Sequence, residues 1–313
     1  MIRFISAQTS NLYFAWQVEV MLNNFMEMGV NLQCVDIVCT KENNKIPEVW
    51  KKLSNGYDAR FFFYDDTRIT KHYHSSIRPN ILKQHFKLHP YLKNETIFYH
   101  DCDIIFTKPI NWEQFENDNV WYGSNTESYI SYDYIITKGQ DIFNEMVSIV
   151  DINPKLIIDN NNNSIGAQYV MKGIDETYWE KVEIDSEMLY KKITKLNINK
   201  ISEDSSINPL AIWCADMWAV LWNAWKLGYE TRYHKELEFS WAPQEESKYF
   251  ECNIMHNAGI TDKHKNFFKK AEYKKKLPYN LDLNIEENTT SKKYYEWIQK
   301  TEKKSVLLKN TLI

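Results

Sequence analysis

Apolar positions follow two rhythms along the first hundred residues. Ile2-Arg-Phe-Ile-Ser6 is a short run suited to a buried strand, after which Leu12, Ala15, Trp16, Val18, Met21, Leu22 and Phe25 recur at helical spacing until Gly29 ends the helix. Cys34-Val-Asp-Ile-Val-Cys39 reads as a second strand, Pro47 to Leu53 as a short helix opened by its proline, and Ala59-Arg-Phe-Phe-Phe-Tyr64 as a third strand. Strand, helix, strand, helix, strand predicts an α/β, Rossmann-like fold with a central, mostly parallel sheet flanked by helices. Ligands of such sheets sit outside the carboxyl ends of the strands.

Further along, a helix from Arg78 to Phe86 or Leu88 leads into short strands at Ile97–Tyr99 and Ile104–Phe106. Trp112 to Asn119 reads as a short helix, Val120 to Gly123 as a strand, and Asp159-Asn-Asn-Asn-Asn-Ser164 as a flexible low-complexity connector. Ile165-Gly-Ala-Gln-Tyr-Val-Met171 is a strand entered through Gly166, where a missing side chain lets backbone approach a ligand. Glu176 to Ile193 is amphipathic, with Trp179, Val182, Ile184, Met188, Leu189 and Ile193 on one face, and residues 197 to 209 read as loop. Ile212 to Trp225 is a strongly apolar helix whose only acid, Asp216, either caps the helix or faces a polar cavity. Strands at Leu237–Ala242 and Cys252–Met255 follow, the second delivering His256-Asn-Ala-Gly259 into a turn, and a last helix is predicted at Tyr294–Thr301.

Composition narrows the function classes. With 43% hydrophobic and 15% aromatic residues in 313, the chain can bury a sizeable core. Its 38 basic and 42 acidic residues give a net charge of −4, so no bulk positive field points to nucleic acid. The five cysteines are scattered, without a close Cys-x-x-Cys pair, which argues against a disulfide framework or structural zinc and for a reducing compartment. No run has the length of a transmembrane segment and residues 1–30 lack a signal-peptide core, so the expectation is a soluble, cytoplasmic protein. The segment after the first strand, Ser6-Ala-Gln-Thr-Ser10, has no glycine, which removes a dinucleotide fingerprint or P-loop.

The candidate chemistry sits at Ile97-Phe-Tyr-His-Asp-Cys-Asp-Ile-Ile-Phe106. Acids at the end of a buried strand are costly to desolvate unless a cation meets them, and a divalent metal is a common one. In an extended segment Asp101 and Asp103 share one side and Cys102 packs on the other, so one acid binds a metal directly and the other through water, or both bind directly. His100 is a neighbouring ligand candidate with a structural histidine favoured. Arg78 and Lys83, near a helix start, are either surface charges or partners for a diphosphate.

The Tyr-His-Asp101-Cys-Asp103 stretch, then Ile165-Gly-Ala-Gln168, then His256-Asn-Ala-Gly259 with downstream lysines, resembles the nucleotide-sugar glycosyltransferases of the GT-A fold. The likeness is nearest to retaining galactosyl- and glycogenin-like enzymes and to plant peptidyl-serine galactosyl- and hydroxyproline arabinosyltransferases. It implies a GT-A-like catalytic domain over residues 1–270, with a nucleotide-binding half (1–123), a donor-sugar and acceptor half (124–270), and a lysine-rich extension (271–313) carrying the terminal helix. It further implies that Asp101, Asp103 and His256 hold Mn²⁺ or Mg²⁺ against the diphosphate of a nucleotide sugar, a UDP-sugar by preference. The turn after His256 lacks the Lys-Pro-Trp usual in the glycogenin-like enzymes, so Lys263 and Lys265 are both candidates for the second positive contact.

By the same resemblance Ala7 and Gln8, Asp65 or Asp66, and Gly259 contact the nucleotide, while Gly166, Ala167 and Gln168 touch the donor sugar. Asp216 stands where such enzymes keep an acid, as a base if the reaction inverts or an orienting group if it retains, and retention is favoured. The implied acceptor is a carbohydrate, glycan or other hydroxyl-bearing molecule. Two other readings compete: a nucleotidyltransferase, which ordinarily shows a glycine-rich loop after the first strand, and a catalytically degenerate carbohydrate-binding member of the fold.

Overall fold

The computed structural model describes residues 2–309; Met1 of the expected catalytic domain and residues 310–313 of the expected extension lie outside the described residues. Strands among the described residues are β1 (Ile2–Gln8), β2 (Val35–Thr40), β3 (Arg60–Tyr64), β4 (Thr96–Tyr99), β5 (Ile104–Phe106), β6 (Trp121–Asn125), β7 (Ile165–Met171), β8 (Thr231–Tyr233), β9 (Phe239–Trp241) and β10 (Ile254–His256). Between them run helices α1 (Leu12–Glu27), α2 (Glu48–Gly56), α3 (Ile77–Leu88), α4 (Glu127–Ile130), α5 (Tyr132–Ile136), α6 (Gln140–Val150), α7 (Pro154–Asp159), α8 (Glu176–Glu203), α9 (Ala215–Lys226), α10 (Glu246–Glu251) and α11 (Thr290–Glu302). Seven strands belong to one mixed, mostly parallel sheet, in which β3-β2-β1 and β4-β7-β6-β8 are consecutive, and β5-β10-β9 form a smaller sheet. This is the α/β class that the strand–helix alternation predicts.

The chain divides into two compact units. One gathers Asp66–Phe98 and Phe115–His234, the other Ile2–Asp65, Tyr99–Gln114 and the chain from Lys235 onward.

In the second of these units β1, β2 and β3 are parallel, with Phe4 opposite Val35 and Val38 opposite Phe62. Helix α1 starts at Asn11, whose side chain accepts from the Phe14 N–H at 3.2 Å, satisfying a donor the helix cannot use. It ends before Gly29, which takes φ +80°, a backbone state that only glycine adopts without strain. Between these ends it is buried from Ala15 to Phe25, Glu19, Asn23 and Asn24 included. Asn24 explains part of this: its amide donates to the Phe106 carbonyl at 2.9 Å and accepts from the Phe106 N–H at 2.7 Å, tying α1 to β5. Phe25 stacks on Phe106 with ring centroids 4.5 Å apart.

In the first unit β6 pairs antiparallel with β7 and parallel with β8, and α3, α8 and α9 supply the helical packing. Four expectations change, three of them in this unit. Helix α8 runs through the supposed loop to Glu203, because Asn197 exchanges two hydrogen bonds with the Leu210 backbone and Lys200 pairs with Asp141 at 2.8 Å. Its Ile184 and Met188 face solvent, while Glu183, Asp185 and Glu187 are buried on polar partners, so the hydrophobic face is narrower than periodicity predicts. The asparagine connector contains a 3₁₀ turn at Asn161–Asn163, and Asn161 donates to Asp133 at 2.9 Å. Residues 112–115 form only a 3₁₀ turn rather than a helix to Asn119.

Candidate functional site

Strand pairing assembles the acidic motif with its partner. β10 runs antiparallel to β5 with His256 opposite Ile104, and the Asn257 N–H donates to the Asp103 carbonyl at 2.9 Å. The imidazole of His256 therefore arrives beside a carboxylate that precedes it by more than a hundred residues. His256 Nε2 lies 3.2 Å from Asp103 Oδ1 and 3.7 Å from Asp101 Oδ2. One ligand atom from each of the three residues falls within 4.8 Å of the others.

The local backbone is not the extended segment expected. Residues 102 and 103 form a turn between β4 and β5, and the turn itself brings both acids to one side while Cys102 is buried. Asp103 is buried; Asp101 is about one-third exposed and gives the site its solvent side. Trp241 stacks on the His256 ring at an interplanar angle of 9°, and Phe239 meets it at 5.6 Å, which fixes its orientation. His100 is buried, with Nδ1 at 2.9 Å from the Asp101 carbonyl; burial pushes its pKa down to about 4, so it is a neutral structural residue.

Sequence reasoning missed Lys270. Its ammonium pairs with Asp103 Oδ2, so Asp103 has a cationic or hydrogen-bonding partner on each oxygen. Burial raises the pKa of Asp103, but the charges of Lys270 and His256 overcome that and hold the carboxyl well below the usual range. Reciprocally, burial lowers the pKa of Lys270, but the Asp103 carboxylate together with Tyr13 and Asp101 outweighs it and holds the ammonium above the ordinary lysine value. Lys263 and Lys265, the candidates for a contact to the diphosphate, are exposed. The only signal for Lys270 was its place in a lysine-rich run whose members look alike. Buried Phe268 and Tyr273 flank it, and these rings stack 5.2 Å apart. Gly259 takes φ +87°, and a Cβ there would press on Pro243 and Trp241.

The donor set suits a divalent ion. Ligand atoms about 2.1 Å from one ion stand at most roughly 4.2 Å apart, so a small closure of the triad accommodates it. Ligation through His256 Nε2 requires the proton on Nδ1, a buried atom with no hydrogen-bond partner among the described residues to oppose that tautomer.

At the carboxyl end of β1, Ala7 and Gln8 are buried, and Gln8 Nε2 donates to the Val38 carbonyl at 3.2 Å. Ser6 Oγ, Gln8 Oε1 and Ser10 Oγ are buried there without hydrogen-bond partners among the described residues. Buried polar atoms are nearly always satisfied, so such a cluster marks a place where a polar ligand or water completes the bonding. Asp65, about half exposed, pairs with Lys41 at 3.0 Å.

The other unit holds the remaining candidates. Opposite Gly123 and Ser124 of β6 stand Tyr169 and Gly166 of β7, leaving Ala167 and Gln168 as a bulge. Ala167 takes φ +61°, a left-handed state that costs a non-glycine residue energy and is found preferentially at functional sites. Gln168 is buried and donates to Ser124 Oγ at 2.5 Å. The space beside Gly166 is taken by Met217 and Thr126, so its glycine is explained by packing. Asp216, in the first turn of α9, does not cap it; it accepts from Tyr73 Oη at 2.6 Å and pairs with Arg78. Burial and the Asp216 charge push the Tyr73 phenol well above its ordinary pKa. Lys83 pairs with Glu183 at 2.8 Å, and Asp66 with Arg68 at 2.9 Å. Both expected phosphate cations, Arg78 and Lys83, are thus engaged by acids within this unit.

No protein-family model matches the sequence, and no curated protein matches it. Among solved structures, the chain is similar to the WbbM bifunctional glycosyltransferase in its apo form, at 9% identity and TM-score 0.44, over 83% of this chain and 46% of that one. The present chain thus spans less than half of WbbM. It is also similar to the galactosyltransferase LgtC in complex with donor and acceptor sugar analogues, at 9% identity and TM-score 0.44, over 95% of both chains. A third similar structure is mouse xyloside xylosyltransferase 1, apo form, at 10% identity and TM-score 0.41, over 82% of this chain and 98% of that one.

Proposed function

We propose that this chain is a metal-dependent glycosyltransferase that moves a sugar from a nucleoside-diphosphate sugar, a UDP-sugar, to the hydroxyl of a carbohydrate, glycan or other acceptor. The observation that carries the reading is the convergence of Asp101, Asp103 and His256 within 4.8 Å at the turn between β4 and β5. An imidazole beside two carboxylates favours Mn²⁺ over Mg²⁺. When bound, the metal supplies Lewis-acid stabilisation of the charge on the departing nucleoside diphosphate.

The chain's own residues divide the remaining work. Asp103 is the buried anchor, Asp101 the carboxylate open to the ligand side, and His256 the ligand whose ring Trp241 holds in place. The unsatisfied oxygens at the end of β1 support nucleotide contacts at Ala7 and Gln8. Gln168, set by a strained bulge, is assigned to the donor sugar together with Gly166 and Ala167. Asp216, engaged by Arg78 and Tyr73, is assigned to orientation rather than proton removal, and the transfer is read as retaining. The five cysteines are all free, which fits a reducing compartment such as the cytoplasm, and no described helix is long and apolar enough to cross a membrane.

The test uses the full chain with Mn²⁺ and a panel of UDP-sugars. One UDP-sugar is expected to raise the melting temperature and to be hydrolysed slowly, and Asp103→Ala to abolish both while leaving the circular dichroism spectrum unchanged. If no nucleotide sugar stabilises the protein with metal present, the reading fails. Metal-dependent carbohydrate binding without turnover would instead mark a catalytically silent member of the fold.

A further inference from the structure

A buried carboxylate that is to receive a metal must be compensated before the metal arrives. Here Asp103 is compensated from within the chain: Lys270 meets Oδ2 and His256 meets Oδ1. Lys270 is itself mostly buried, with its side chain 27% exposed. Its backbone is held in place. Phe268 donates its N–H to Ser291 Oγ at 2.8 Å, and the Tyr273 carbonyl accepts from Trp16 Nε1 at 3.2 Å. The lysine is therefore delivered to one carboxylate by an anchored segment, yet its four-carbon stem lets the charged end leave without moving that segment.

We propose that Lys270 is the resident counter-cation of the metal site, so that metal entry is an exchange in which a divalent ion takes Asp103 and the ammonium is released from it. The inference rests on the metal reading of the triad and adds a property to it. Lys270 and the metal compete for the same acid, so the lysine weakens metal binding when no nucleotide is present and keeps the metal-free site closed and ordered.

The experiment is direct Mn²⁺ binding, by calorimetry and by the free-Mn²⁺ electron paramagnetic resonance signal, to the full chain without nucleotide. Wild type is compared with Lys270→Met, which keeps the apolar stem, and Lys270→Arg, which keeps the charge. A charge-assisted bond to a carboxylate is strong enough that its removal should tighten Mn²⁺ binding about tenfold or more in Lys270→Met. Lys270→Arg should stay within about threefold of wild type by the same reasoning. The melting temperature of Lys270→Met should be lower than wild type without metal, and its rise on adding Mn²⁺ larger. Equal Mn²⁺ affinity in wild type and Lys270→Met overturns the exchange while leaving the metal site standing; weaker binding in Lys270→Met also overturns it, making the lysine a support for the site. If neither protein binds Mn²⁺, the metal reading of the triad falls, and the exchange with it.

Discussion

Asp103 shows how one residue carries two requirements. Its carboxylate is buried deeply enough that an unpaired charge would be expensive, and the chain answers with Lys270 on one oxygen and His256 on the other. The consequence for pH dependence follows from the direction of the shifts. The pKa of Asp103 in the folded chain lies below the unfolded value of about 3.9, so its contribution is complete above about pH 4 and is lost as pH falls through the lower folded value. Lys270 is raised, so its contribution is complete below the unfolded lysine value of about 10.4 and disappears only at more alkaline pH. Between those limits the pair is intact. Without metal, the wild-type melting temperature should therefore fall on acidification below about pH 4, and Asp103→Asn should show a flatter acid limb when both are scanned by calorimetry. Identical acid limbs would mean that Asp103 does not contribute.

Elements are joined in this protein by buried polar side chains as much as by apolar contact. Glu19, in the middle of α1, accepts from Tyr279 Oη at 2.6 Å, Ser305 Oγ at 2.8 Å and the Val306 N–H at 2.6 Å. It thereby fastens the chain after α11 to the helix after β1. Burial raises the pKa of Glu19 despite these donors. Glu19→Ala would leave several buried donors unsatisfied and should cost about 3 kcal/mol in urea unfolding. Release of the segment around residue 305 should appear as faster amide exchange there; unchanged stability would show that water replaces the carboxylate at no cost. The bulge in β7 is the same kind of device. It spends backbone strain at Ala167 to place Gln168 on Ser124, a conformation that a regular strand would not allow.

At the scale of the whole molecule, the candidate metal site lies within one compact unit although its residues come from distant parts of the chain. Its scaffold is strand pairing and aromatic packing, with Phe25 on Phe106 and Trp241 on His256, and Asp103 is compensated by Lys270. The fold is therefore expected to form without a metal, unlike small domains whose core is the metal itself. Protein stripped with a chelator should keep its helical circular dichroism and unfold cooperatively. Adding Mn²⁺ back should raise the melting temperature without changing the spectrum. Loss of the folded spectrum on chelation would show that the triad is a structural centre.

Local rhythm was enough to place β1, α1, β2, α2 and β3, because a buried strand and a helix each impose a period on neighbouring residues. The apolar runs around Asp101 and Asp103 singled out the acid pair, and the resemblance of the later His256-Asn-Ala-Gly259 stretch to a known family added His256. Where period is weak, the structure decided: α8 continues to Glu203 because Asn197 and Lys200 find partners far away in sequence. The same holds at the sites. Arg78 is bound to Asp216, Lys83 to Glu183, and Lys270 to Asp103. A sequence marks which residues are chemically able to form a site, since that depends on side chains and their neighbours. Which cation compensates which acid depends on strand register and on the burial of flanking residues such as Phe268 and Tyr273, and those exist only once the chain has folded.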